Sequence, residues 1–112
     1  SAGAVSAPTV EVQQPAPIAK GIPLSQYEAL LALYQAQNAI QIARSQGADR
    51  YAVDTLKNAE QLHHEATELN RAKPGDKRVA MLAREAVQKA EDARIIAQRV
   101  GLKAQAISQP NR

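Results

Sequence analysis

The sequence predicts an all-α fold: an antiparallel up-down-up three-helix bundle with alanine-rich seams, behind a disordered, proline-bearing N-terminal tail. Three observations predict it. Alanine recurs at alternating spacings of three and four in Ala29, Ala32, Ala36, Ala39 and Ala43, and again in Ala83, Ala86, Ala90, Ala93 and Ala97. A middle stretch keeps that spacing with larger members: Ala52, Thr55, Ala59, Leu62, Ala66 and Leu69. Gly47 and the run Lys73-Pro74-Gly75-Asp76 separate the three stretches. A three-four alternation puts every member on one stripe of a helix, the a/d pattern of a helix seam. Alanine on that stripe lets two helix axes approach toward the short end of the usual range of about 8–10 Å.

The elements follow in order. Residues 1–23 carry Pro8, Pro15, Pro17 and Pro23 among small, weakly charged residues. Proline removes backbone donors and is excluded from helix interiors, so this segment reads as a flexible tail or linker. No PxxP motif with flanking basic residues marks it as a ligand for another domain. Ser25-Gln26-Tyr27-Glu28 has the form of a capping box and predicts a first helix over about 25–46, ended by Gly47. The second helix is predicted from an Asp49 cap over 49–72, and Lys73-Pro74-Gly75-Asp76 stops it. Asp76 is placed to cap a third helix over 76–101 or beyond, since Val100, Ala104 and Ile107 keep the seam register. The bundle is thus expected over 24–107, with 108–112 a short C-terminal tail. At 22–26 residues each helix would span roughly 33–39 Å, and short connections favour antiparallel neighbours. In the rival geometry the first two helices run on through Gly47, kinked but unbroken, and the third folds back on them. Gly47 favours the break.

Composition narrows the function classes. The chain has 112 residues, enough for one domain, and 45% are apolar, much of that alanine. There is no Phe, Trp or Cys and a single methionine, Met81, so the core must be thin. Without cysteine there are no disulfides, thiol nucleophiles or cysteine metal sites. The net charge of +3 is mild and lies mostly in the last third. A nucleic-acid or anionic-lipid surface needs a denser basic cluster, often with aromatics, so nucleic acid is not the expected partner. No stretch approaches the ~18 apolar residues of a membrane-spanning helix. No charged start leads into an apolar core, so no secretory leader is expected in this stretch.

Few residues invite a chemical reading. His63, His64 and Glu65, with Glu68 one turn beyond His64, form the one cluster that suggests a metal. Metal sites usually need three or more convergent ligands, and the apolar stripe through Leu62 and Ala66 turns His63 toward the core and His64 toward solvent. A phosphoacceptor role for His64 would want a basic patch that is not there. Glu65/Glu68 and Glu91/Asp92 sit on charged faces with nothing to suggest a cleft. Neither a Gly-rich phosphate loop nor a Ser/His/Asp arrangement is found. The expectation is therefore no catalytic, cofactor or metal site, and no enzyme. The first helix carries only two charges, Glu28 and Arg44, and Leu30, Leu31, Leu33, Ile40 and Ile42 widen its apolar surface beyond the alanine stripe; Tyr27 and Tyr34, seven apart, line one side beside Leu30 and Leu31. The tyrosines, with Tyr51 just after Gly47, either pack at the ends and edges of the bundle or, with Leu30 and Leu31, form the candidate partner-docking strip.

One stretch carries a resemblance. Ala43-Arg44-Ser45-Gln46-Gly47-Ala48, followed by Tyr51-Ala52 and by Leu56, Ala59, Leu62 and Ala66, and after the turn Ala80, Leu82, Ala83, Ala86, Ala90 and Ala93, resembles a family of alanine-rich helical domains of uncharacterised function. These domains occur in Gram-negative envelope proteins and lipoproteins, often upstream of an OmpA-like peptidoglycan-binding domain. The likeness covers about residues 25–100. It implies a periplasmic or outer-membrane-associated location, a spacer or adaptor role toward another envelope protein, and indirect peptidoglycan association through a domain outside this chain. It supplies no catalytic residues. The leading expectation is thus a non-enzymatic envelope adaptor. The alternatives are a self-associating coiled-coil module, and a weakly basic helical module that binds nucleic acid or anionic lipid.

Overall fold

A computed structural model describes residues 21–108. Expectations for the rest of the N-terminal segment and the last four residues fall outside that range. Among the described residues the fold is all-α, with four helices: α1 (Leu24–Ser45), α2 (Ala48–Tyr51), α3 (Val53–Ala72) and α4 (Lys77–Ser108).

The start of α1 corrects the expected capping box. The N-cap is Pro23, whose carbonyl accepts from the amides of Gln26 at 3.0 Å and Tyr27 at 3.1 Å, and no side chain caps the helix. Ser25 lies inside the first turn. Its hydroxyl instead faces the α3–α4 turn, where a Cβ on Gly75 would stand 3.0 Å from Ser25 Oγ. Packing of the helix start on that turn has overridden the local capping preference.

Gly47 does break the helix. It sits at φ +96°, the left-handed region that glycine enters without strain, and its amide closes onto the Arg44 carbonyl at 3.1 Å. The expected single second helix, with Asp49 as its cap, is corrected. Gly47 caps the one-turn α2, Asp49 is an exposed residue of its first turn, and Ala52 (φ −145°, ψ 48°) interrupts the helix before α3. The reason is the core: Ala48 and Ala52 are both buried, and the step between them lets the chain turn the corner with both packed inward. The α3–α4 turn matches its sequence signal. Gly75 is left-handed at φ +81°, and Asp76 Oδ1 accepts from the Arg78 amide at 2.8 Å. The Arg78 guanidinium and amide hold the Asp76 carboxyl down at about 2. Asn70 adds a contact with no sequence signature: its Oδ1 accepts from the Gly75 amide at 3.0 Å.

Two core clusters fix the arrangement. One joins Ala29, Ala32, Leu33 and Ala36 of α1 to Ala66 of α3 and to Val79, Ala83 and Ala86 of α4. The other joins Ile40 and Ala43 of α1 to Ala48, Ala52, Leu56 and Ala59, and to Ala90, Ala93 and Ala97 of α4. The early part of α1 thus meets the late part of α3 and the early part of α4. Apart from Leu33, Ile40, Leu56 and Val79, every buried hydrophobic among the described residues is an alanine, and none of the buried residues is polar or charged. α4 outlasts its neighbours: at 32 residues it is about 48 Å long against about 33 Å for α1.

Two predictions follow from this packing. Ala90 has no exposed surface, so Ala90→Leu forces three extra heavy atoms into a closed seam and costs about 2–3 kcal/mol in chemical denaturation. Gly75→Ala costs more than Gly47→Ala, about 2 against about 1 kcal/mol. Both glycines are left-handed, but a Cβ at Gly75 would also lie 2.9 Å from Gln26 Cγ and 3.2 Å from the Gln26 amide.

Candidate docking surfaces

Tyr27, Leu30, Leu31 and Tyr34 fall together on α1, on the side opposite the Ala29–Ala32–Ala36 stripe, and all four are half-buried. Beside Tyr34, the side chains of Gln37, Asn38 and Gln41 line a polar hollow of about 250 Å3. Tyr51 is not part of this strip. It lies on α2 and packs against the Ala48–Ala52 cluster, where Cβ atoms on Gly47 and Gly101 would each come within 3.4 Å of its ring. The Arg50 guanidinium lies 5.1 Å from the ring centroid. Tyr51 is thus a corner residue that holds α2 against α4.

The two histidines separate as their spacing indicates. His64 is exposed, while His63 is half-buried beside a hollow of about 250 Å3 between α1 and α3, lined also by Gln37, Ile40, Gln41, Arg44 and Glu60. Arg44 forms an ion pair with Glu60 across that hollow. Burial pushes the His63 pKa below its usual 6.5; a hydrogen bond to the Leu33 backbone opposes this, and the nearby His64 adds to it. Among the described residues no three His, Asp or Glu side chains converge as a metal site would need, and no helix is long and apolar enough to cross a membrane.

One groove escapes sequence reasoning. A groove of about 640 Å3 runs between the end of α3 and the start of α4, lined by Leu69, Arg78, Met81, Leu82, Arg84, Glu85 and Gln88. Met81 is 60% exposed. Its one signal in the sequence is a lone methionine that falls off the alanine stripe.

Comparison with protein-family models, with curated proteins and with solved structures gave no match.

His63 sets a pH dependence. Its folded-state pKa is depressed, so the unfolded chain takes up a proton at higher pH than the folded one. The stabilisation is present above about pH 6.5 and is lost as the pH falls through the folded value. The melting temperature is expected to drop between about pH 7.5 and 5. In His63→Gln that slope flattens.

Proposed function

We propose that this chain is a non-enzymatic spacer or adaptor module of the Gram-negative cell envelope, periplasmic or outer-membrane-associated, working as an up-down-up three-helix bundle with α2 as its corner. The observation that carries the reading is the division of α1 between two faces. One face is an alanine seam in the core. The other presents Tyr27, Leu30, Leu31 and Tyr34 on a helix with two charges, the kind of amphipathic surface that receives a partner helix. The likeness of residues 25–100 to alanine-rich envelope domains supports the location. Within its most specific stretch, Ala43, Ala48 and Ala52 are buried and Gly47 is left-handed, so these residues have a structural reason to occur together. The partner is another envelope protein, and any link to peptidoglycan runs through a domain outside this chain.

A second reading, self-association as a coiled coil, is favoured by the end of α4. Past Gly101 the helix continues to Ser108, and Leu102 and Ile107 are exposed there, as is Val100 just before it.

Fractionation of cells producing the full native protein tests the first reading. The protein is expected in the periplasm, outer membrane or washed sacculi, and a photo-crosslinking residue at Leu31 is expected to give one discrete adduct that Tyr34→Asp removes. A purely cytoplasmic signal, or a catalytic rate abolished by one surface substitution, overturns it.

A further inference from the structure

The outer side of α4, turned away from both core clusters, carries a second three-four series: Met81, Glu85, Gln88, Asp92, Ile95, Arg99 and Leu102. Every member is exposed, and the stripe is roughly 100° wide. Its spacings of four, three, four, three, four and three become their own complement when the helix is reversed. Laid antiparallel on a second copy about Asp92, the series matches within half a residue, about 0.75 Å of helix rise. Met81 then meets Leu102, Glu85 meets Arg99 and Gln88 meets Ile95, each pair occurring twice as a two-fold axis requires. A parallel pairing would instead set Glu85 against Glu85 and Arg99 against Arg99.

The chemistry of the pairs fits this order. Leu102 is 66% exposed at the rim of a hollow it shares with Tyr51 and Ala97. Met81 is 60% exposed, and its unbranched side chain adapts readily to a leucine laid against it. The charged pair Glu85–Arg99 lies just inside each apolar end, where the flanking side chains shield it from water. The axis sets Asp92 against its own copy, and Lys89, one turn back on the same helix, comes alongside to offset that repulsion.

We infer that the outer face of α4 is a self-complementary interface with a second copy of this chain, antiparallel about Asp92, in which Leu102 of each copy packs on Met81 of the other. This surface is separate from the α1 strip and does not depend on the adaptor reading. A helix-wide strip about 32 Å long is at the small end of specific interfaces, so the dimer dissociates on dilution.

Sedimentation equilibrium of the full chain from about 1 µM to about 1 mM is the test. The mass is expected to rise from 12.0 kDa toward twice that value. Glu85→Arg and Arg99→Glu are each expected to weaken association about tenfold, and the double charge swap to restore it. All three variants alter exposed side chains, and circular dichroism checks that their helix content is unchanged. The chain has no cysteine of its own, so Asp92→Cys gives a second readout: a disulfide-linked dimer that forms under mild oxidation faster than from Lys57→Cys on the outer side of α3. A monomeric mass throughout, association unaffected by both single reversals, or a swap that fails to restore it overturns the proposal.

Discussion

Close approach of helix backbones at the alanine seams is the constraint on which the rest of the structure depends. With alanine at nearly every buried position, little apolar area per residue leaves water, and side-chain interdigitation has few atoms to work with. Cohesion comes from bringing the helices near enough for their backbones and Cβ atoms to touch. That geometry tolerates no bulk. It also loses little side-chain entropy on folding, because alanine has no rotamers to fix. The few larger core residues, Leu33, Ile40, Leu56 and Val79, are spaced along the seams and fill the gaps that alanine leaves.

The connections serve that seam. The left-handed Gly47, the break at Ala52 and the ring of Tyr51 between Gly47 and Gly101 turn the chain while keeping Ala48 and Ala52 inside. At the other end Gly75 lets the α3–α4 turn press on the first turn of α1, and Asn70 satisfies the amide that this turn exposes. Both ends therefore close by near-contact of backbone with a neighbouring element, the same device as in the seams.

Polar chemistry is confined to the margins. No charged or polar side chain is buried among the described residues, and the ion pair between Arg44 and Glu60 is part-exposed, where such pairs contribute little. His63 lies at the edge of the α1–α3 contact, where burial lowers its pKa. The outer faces carry the polar and mixed surface, including the tyrosine–leucine strip of α1 and the charged stripe of α4.

The helix content, the seam residues and both turns were legible in the sequence, because each depends on local periodicity or on the φ preferences of glycine and proline. The alanine series of α1 and α4 named the core faces directly, and Asp76 announced its cap. The break at Ala52 and the loss of the Ser25 box were not legible, since each reflects contact with a residue distant in sequence: the core for Ala52, Gly75 for Ser25. End-packing of Tyr51 was legible from its place after Gly47, but its contact with Gly101 was not. Of the candidate strip, the sequence placed Tyr27, Leu30, Leu31 and Tyr34 on one helix face, whereas only the structure could remove Tyr51 from it. The groove at Met81 was likewise hidden, because it forms between two helices and belongs to neither. The sequence by itself thus determined the buried stripe of α1 and that of α4 as far as Ala97, through spacing alone; Val100 and Ile107 keep the spacing but are exposed, because α4 outruns the helices that would cover them. The tertiary structure decided where that stripe overrides local preference and which outer surfaces remain for a partner, because both depend on how the helices meet.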